Sequence, residues 1–417
     1  MMMTDDRWYG EIADAIRYMI GDIHSYSVSQ LPSLIAGLSN LNITNAEIAD
    51  ALTNVQNFSV VIGYSATSVR SGCFSGLGMS LVIYPNVTSI HPYAFASCYS
   101  LKVAKFKNCE IVGSSAFHEC RLLSMIDMPN CIYVNQSAFY SCLALEEIDM
   151  PECTEIGGYA FAGCTSLHSV RLQKCEKVYY SAFKSCDAIT YMELPACKNI
   201  SACAFMNCRC LSNVSLPECE YIYAYAFQGC VSLECLNLPR CLSISGSAFG
   251  GCSELSTVSL EKCSYIGYAA FMYCRKLESL YSPSCISIMN NAFGGCVMLD
   301  DISLPSCSFI GNAAFADCKM QSIHLPKCMS IGSAAFASCH NLSYVDIPVC
   351  RSISHNAFVN CSNLTMVNLS MAPTVTHLDQ NAFLSTAIST IVVPSSLYSY
   401  FITSYDWRSL SDKIVSV

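Results

Sequence analysis

CLALEEIDMPECTEIGGYAFAGC, residues 142–164, is one period of a pattern that runs through most of this chain. The segment Leu145-x-x-Ile148-x-Met150 alternates apolar and polar residues at its end, the mark of a strand with one buried face, and Pro151 stops it. Ile156-Gly157 then turns the chain, and Ala160-Phe161 returns an apolar pair to the interior. A unit this small cannot bury its own apolar side. Neighbouring units must stack, and equivalent residues then form columns about 4.8 Å apart.

Working outward from that unit, fourteen Ala-Phe pairs run from Phe95 to Phe383, spaced by 22 residues ten times in succession and then by 21, 22 and 25. One cysteine column of 13 residues follows the pairs, from Cys98 to Cys361. A second of 12 residues lies midway, from Cys109 to Cys350, usually as Pro-x-Cys (Pro129/Cys131, Pro217/Cys219, Pro305/Cys307). Of the 29 cysteines only Cys73, Cys203, Cys210 and Cys235 fall outside the columns. A residue type that recurs about every eleven positions over this length describes a solenoid, in which the thiols serve as small buried hydrophobes. Thiols stacked in register have parallel Cβ vectors, a poor geometry for disulfides. The spacing also lacks the closed C-x2-C clusters that zinc requires, so neither metal nor cofactor is expected.

Composition narrows the classes further. With 53% apolar and 13% charged residues over 417 positions, the chain is not disordered. No run of about 18 apolar residues exists to insert into a membrane. The net charge of −9 and the lack of a basic block argue against nucleic-acid binding. The start MMMTDDRWYG carries acids where a signal peptide has its basic region, so synthesis in the cytoplasm without a signal peptide is expected.

Four regions follow. Residues 1–57 read as a helical N-terminal cap or attachment region. An amphipathic helix over 6–20 places Trp8, Ile12, Ile16, Met19 and Ile20 on one stripe, a second starts at Pro32, and a third has the capping box Thr44-x-x-Glu47. Residues 58–93 hold a degenerate first coil with Phe74 and Pro85, 94–386 the regular coils, and 387–417 a C-terminal cap built on Val392, Val393, Leu397, Tyr400, Phe401, Trp407 and Leu410.

The unit L-x-x-[IV]-x-L-P-x-C-x-x-[IV]-G-x-x-A-F-x-x-C, as in residues 145–164 and 299–318, resembles the BspA-like leucine-rich repeats of bacterial and protist surface proteins, in a 22-residue variant. The resemblance implies an α/β-type, right-handed leucine-rich repeat solenoid with a parallel β-sheet, used for adhesion or recognition and carrying no catalytic residues. Residues 8–38 resemble N-terminal segments of Firmicutes phage and prophage tail-associated proteins. Residues 393–414 are similar to the C-terminal caps of such arrays. Together these imply a virion-associated or cell-surface protein, with homo-oligomerisation or virion docking through residues 1–57. An exported adhesin and an intracellular protein-interaction scaffold are the alternatives.

The expected partner is a bacterial cell-surface glycan or protein, and the candidate binding residues are those that vary from coil to coil. One outward column runs through Lys105, Asp127, Asp149, Arg171, Glu193, Asn237, Tyr281, His324, Asp346 and Asn368. Its companion runs through Glu147, Tyr191, Asn213 and Cys235. A second candidate is the tyrosine set on the turns: Tyr159, Tyr179, Tyr180, Tyr221, Tyr223, Tyr225, Tyr265 and Tyr268, rigid amphipathic rings suited to sugars or protein surfaces. Asp127 and Asp149, one coil apart, have the spacing of a retaining glycosidase pair. Lys105, Arg171 and Glu193 in the same column point instead to an ordinary charge ladder, so no enzyme is expected.

Overall fold

The computed structural model describes residues 60–62, 66–374, 376–379 and 381–417. The helices expected within 1–57 lie outside the described residues. The rest forms a parallel β-solenoid of about 16 turns. It divides into two compact units, one running to Cys175 and taking in Ser185–Ile189, the other made of Glu176–Lys184 and Thr190–Val417.

Each regular coil contributes a three-residue strand and then a two-residue strand, such as Glu147–Asp149 followed by Glu155–Ile156. Each pairs in parallel with its equivalent one coil away: Ser169 opposite Glu147, Val170 opposite Ile148, Arg171 opposite Asp149. Pleating turns Ile148 inward, where it is buried, and sends Glu147 and Asp149 outward. The short strand does the same with Ile156.

The return stroke of the coil is therefore a strand and not a helix, which corrects the α/β-type reading. Among the described residues the only α-helix, α1, is Tyr398–Thr403 near the end. Backbone conformation gives the reason. The Ala-Phe pair sits between two left-handed residues in each coil, Tyr159 at φ 57° and Gly163 at φ 76° in the coil above, and a right-handed helix cannot pass through either. Most coils place non-glycine residues there, which hid the feature in the sequence. Gly157 has a different cause: a Cβ on it would lie 2.6 Å from the backbone of Asn135 in the preceding coil.

Inside, the phenylalanines stack with planes nearly parallel. Ring centroids are 5.0–5.2 Å apart from Phe74 to Phe161 in the first unit, and 5.0–5.4 Å apart from Phe183 to Phe383 in the second. Backbone bonds lock the ladder, for example Phe139 N–H donating to Ala160 O at 2.7 Å.

All 25 column cysteines are buried, Cys73, Cys210 and Cys235 are exposed, Cys203 is half-buried, and none of the 29 is in a disulfide. The thiols do more than fill space. In the first column each donates to a phenylalanine carbonyl of the preceding coil, as Cys142 Sγ does to Phe117 O at 3.2 Å. In the second they donate two residues ahead, as Cys153 Sγ does to Glu155 O at 3.4 Å and Cys263 Sγ to Tyr265 O at 3.2 Å. A weak donor of small volume is what these positions call for; alanine would remove the second partner of carbonyls such as Phe117 O, which keeps the Cys120 N–H at 3.1 Å. Burial pushes the thiols of Cys197 and Cys350 up to about 11, and those of Cys164 and Cys252 up to about 12.

At the C-terminal end Thr390–Val393 pairs with Ile414–Ser416, Trp407 is buried beside Phe383, and buried Phe401 meets Trp407 edge-on. Trp407 Nε1–H donates to Thr376 O at 2.7 Å. Tyr400, expected among the closing residues, is 63% exposed, because the short helix α1 turns only Phe401 inward.

Candidate recognition surfaces

The long strands place the two variable columns on their outer face. In the first unit Glu147, Asp149 and Arg171 are exposed and Asp127 is half-buried. Arg171 pairs with Asp149 across the rung at 3.7 Å. Asp149 thus has a cationic partner, as in a surface charge ladder, while Asp127 ends a separate set of strands, Val60–Ile62 to Met125–Asp127. The contact is solvated and adds little stability.

In the second unit Tyr191, Glu193, Asn213, Asn237 and Tyr281 are all exposed. Tyr191 stands opposite Asn213, and Asn237 and Tyr281 lie two rungs apart with Ser259 between them. Two members of the outward column are buried instead. Lys105 lies between Ile83 and Asp127 on neighbouring rungs and is 7% exposed. Asp346 is covered by its neighbours: His324 pairs with it from one side, and Asn368 Nδ2 donates to its Oδ1 at 2.8 Å from the other.

The tyrosines divide into classes. Tyr221 and Tyr265 are the outward residues of short strands, with Ile222 and Ile266 turned inward beside them. Tyr223 follows Tyr221 on the same side and is 46% exposed; Tyr179 holds the equivalent position two coils earlier. Tyr159 and Tyr225 occupy left-handed turn positions, at φ 57° and 61°. Tyr180 and Tyr268 are exposed on the turns.

One polar cluster was not singled out in the sequence: His377 Nδ1 lies 2.9 Å from Asp406 Oδ2 at the C-terminal end, where residues 29 positions apart meet. Among the described residues no group of three His, Cys, Asp or Glu side chains is placed to hold a metal ion, and no helix is long and apolar enough to cross a membrane.

Comparison with known proteins adds to this geometry. Residues 46–168, 176–299 and 286–406 match the family described as BspA type leucine rich repeat region (6 copies). The chain is similar to the crystal structure of a leucine-rich repeat protein from Bacteroides ovatus, with a TM-score of 0.57 and 23% identity over 79% of this chain and 88% of that one. It is also similar to a leucine rich cell surface protein from Faecalibacterium prausnitzii, with a TM-score of 0.39 and 21% identity over 83% and 85%. A third similarity is to the pneumococcal vaccine antigen PcpA, with a TM-score of 0.43 and 16% identity over 86% and 85%. No curated protein matches the sequence.

Proposed function

The chain belongs to the BspA-type leucine rich repeat family, and from that premise we propose that it is a non-enzymatic recognition protein which binds a bacterial cell-surface glycan or protein. The observation that carries this reading is the contrast within each three-residue strand. Middle residues such as Ile148, Met192 and Val214 are buried and stay apolar, whereas their outward neighbours change from acid to base to amide to aromatic ring. Outward positions can diverge without cost to the stack, so they can take the shape and charge of a ligand. Aromatic Tyr191 and Tyr281 beside amide and charged groups give such a face both apolar contact and hydrogen bonding. The finer assignment, docking on a virion tail through residues 1–57, rests on the sequence resemblance of 8–38.

The test is binding of labelled full-length protein to a panel of bacterial cells and to their isolated wall polysaccharides. Strain-selective binding is the expected outcome. A protein that ignores every cell type, and instead recovers one partner from a cytoplasmic extract, would replace recognition of the surface with intracellular scaffolding.

A further inference from the structure

A second pattern runs along the short strands of the second unit. Their outward residues are in register as Tyr221, Ser243, Tyr265, Ser287, Phe309 and Ser330. Ring and serine alternate through six consecutive coils. The residue just before each strand alternates in the opposite phase: Leu242, Ser264, Ile286, Ser308 and Met329. From the second coil on, each rung therefore carries one large apolar group and one serine, and the six large groups from Tyr221 to Met329 are between 36% and 52% exposed. None of these positions is charged, although Glu220 precedes and Arg351 follows in the same columns. The two serine sets differ chemically. Ser264 and Ser308 donate to the carbonyls of Leu242 and Ile286, whereas the described residues offer no hydrogen-bond partner to the hydroxyls of Ser243, Ser287 and Ser330.

We infer that this strip binds a neutral, extended glycan laid across the coils, with alternate sugars stacked on Tyr221, Tyr265 and Phe309 and the sugars between them hydrogen-bonded to Ser243 and Ser287. Dimensions support a polymer one chain wide. Five coil steps and two columns make a track roughly 25 Å long and 10 Å wide, well under the roughly 800 Å² per partner of a stable protein interface. An extended peptide would need backbone groups to pair with. Here they are already taken up between coils: Ile286 N–H donates to Ser264 O at 2.9 Å and Met329 N–H to Ser308 O at 2.9 Å. Sugars need no such edge. Their C–H faces pack on rings and aliphatic groups, and their hydroxyls exchange hydrogen bonds with serines. In an extended β-linked chain successive rings flip over, so every second sugar presents the same face, matching rings on every second coil. The lack of charge excludes an acidic glycan held by ion pairs.

The inference shares with the preceding reading only the premise that the chain is a binder, since it concerns the short strands and not the long ones. An array of linear oligosaccharides of six sugars, neutral and acidic, probed with full-length protein tests it apart from cell binding. Neutral linear members are expected to bind and acidic ones not, with affinity rising with length. Tyr265→Ala should weaken binding about ten-fold, Tyr265→Trp should retain it, and Tyr400→Ala, an exposed ring of α1 away from the strip, should leave it unchanged. Failure of every neutral glycan, preference for acidic ones, or binding indifferent to Tyr265→Ala would overturn the inference. So would capture of a folded protein through the strip. Protein that binds these glycans yet no cell would leave the strip standing and sink the cell-surface reading alone.

Discussion

Ile148 and its two neighbours, Glu147 and Asp149, sit on one three-residue strand and obey opposite rules. The inner residue belongs to a column that stays apolar and is buried in all but the coils of Val170 and Ile302, which are half-buried; the outer ones belong to columns whose chemistry changes at nearly every coil. Stacking explains the difference. An inward side chain touches its equivalents in the coils before and after it, so a change in one is felt by three. An outward side chain meets solvent on one side, and its substitution is felt by little else.

That contrast can be broken or sharpened by perturbation, and the largest effect should come from the thiols as a group. An unfolded cysteine ionises near 8.5, whereas burial holds Cys197 and Cys350 up to about 11 and Cys164 and Cys252 up to about 12. Below the unfolded value both states keep the proton and stability is complete. Above it only the unfolded chain releases the proton. Stability therefore falls by about 1.4 kcal/mol per pH unit for each such thiol until the folded value is reached. Melting temperatures recorded between pH 8 and 11 should drop steeply, and a flat profile would show that the thiols are not buried as described.

Single core substitutions come next. Phe227→Ala empties one ring from a stack spaced 5.0 and 5.2 Å from its neighbours and should cost about 3–5 kcal/mol in denaturant titration. Cys142→Ala removes both volume and the bond to Phe117 O and should cost about 1–2 kcal/mol. Exposed Cys235→Ala should change stability by less than about 0.5 kcal/mol. The same division predicts thiol reactivity. Native protein should react promptly at Cys73, Cys203, Cys210 and Cys235 only, and all 29 should react after denaturation under reducing conditions. One effect has the opposite sign: Tyr225→Gly, at φ 61°, relieves a left-handed tyrosine and should stabilise the chain by up to about 1 kcal/mol.

Much of the interior was legible in the sequence because it repeats. The strand through Ile148, its end at Pro151, the Ala-Phe columns and the two buried cysteine columns are each stated about a dozen times over, so periodicity alone reveals them. The short strands were read only as turns, since two residues such as Glu155–Ile156 show no alternation to count. The thiol hydrogen bonds were missed because their acceptors are backbone carbonyls, which sequence does not display. Lys105 and Asp346 were placed outside because column position says nothing of how neighbouring rungs close over a side chain. The variable outward columns were located correctly in register, but their ligand is not written in any one residue. It depends on surfaces assembled from residues 22 apart, as in the pairing of Arg171 with Asp149.

The most direct test of an inert interior beneath a reading surface is one variant measured in two ways. Full-length protein carrying Tyr191→Ala, Glu193→Ala, Asn213→Ala and Asn237→Ala, all exposed on the long strands of the second unit, should melt within about 2 °C of the parent and lose the strain-selective cell binding that the parent shows. Binding equal to that of the parent would contradict the account, because the long-strand face would then read nothing.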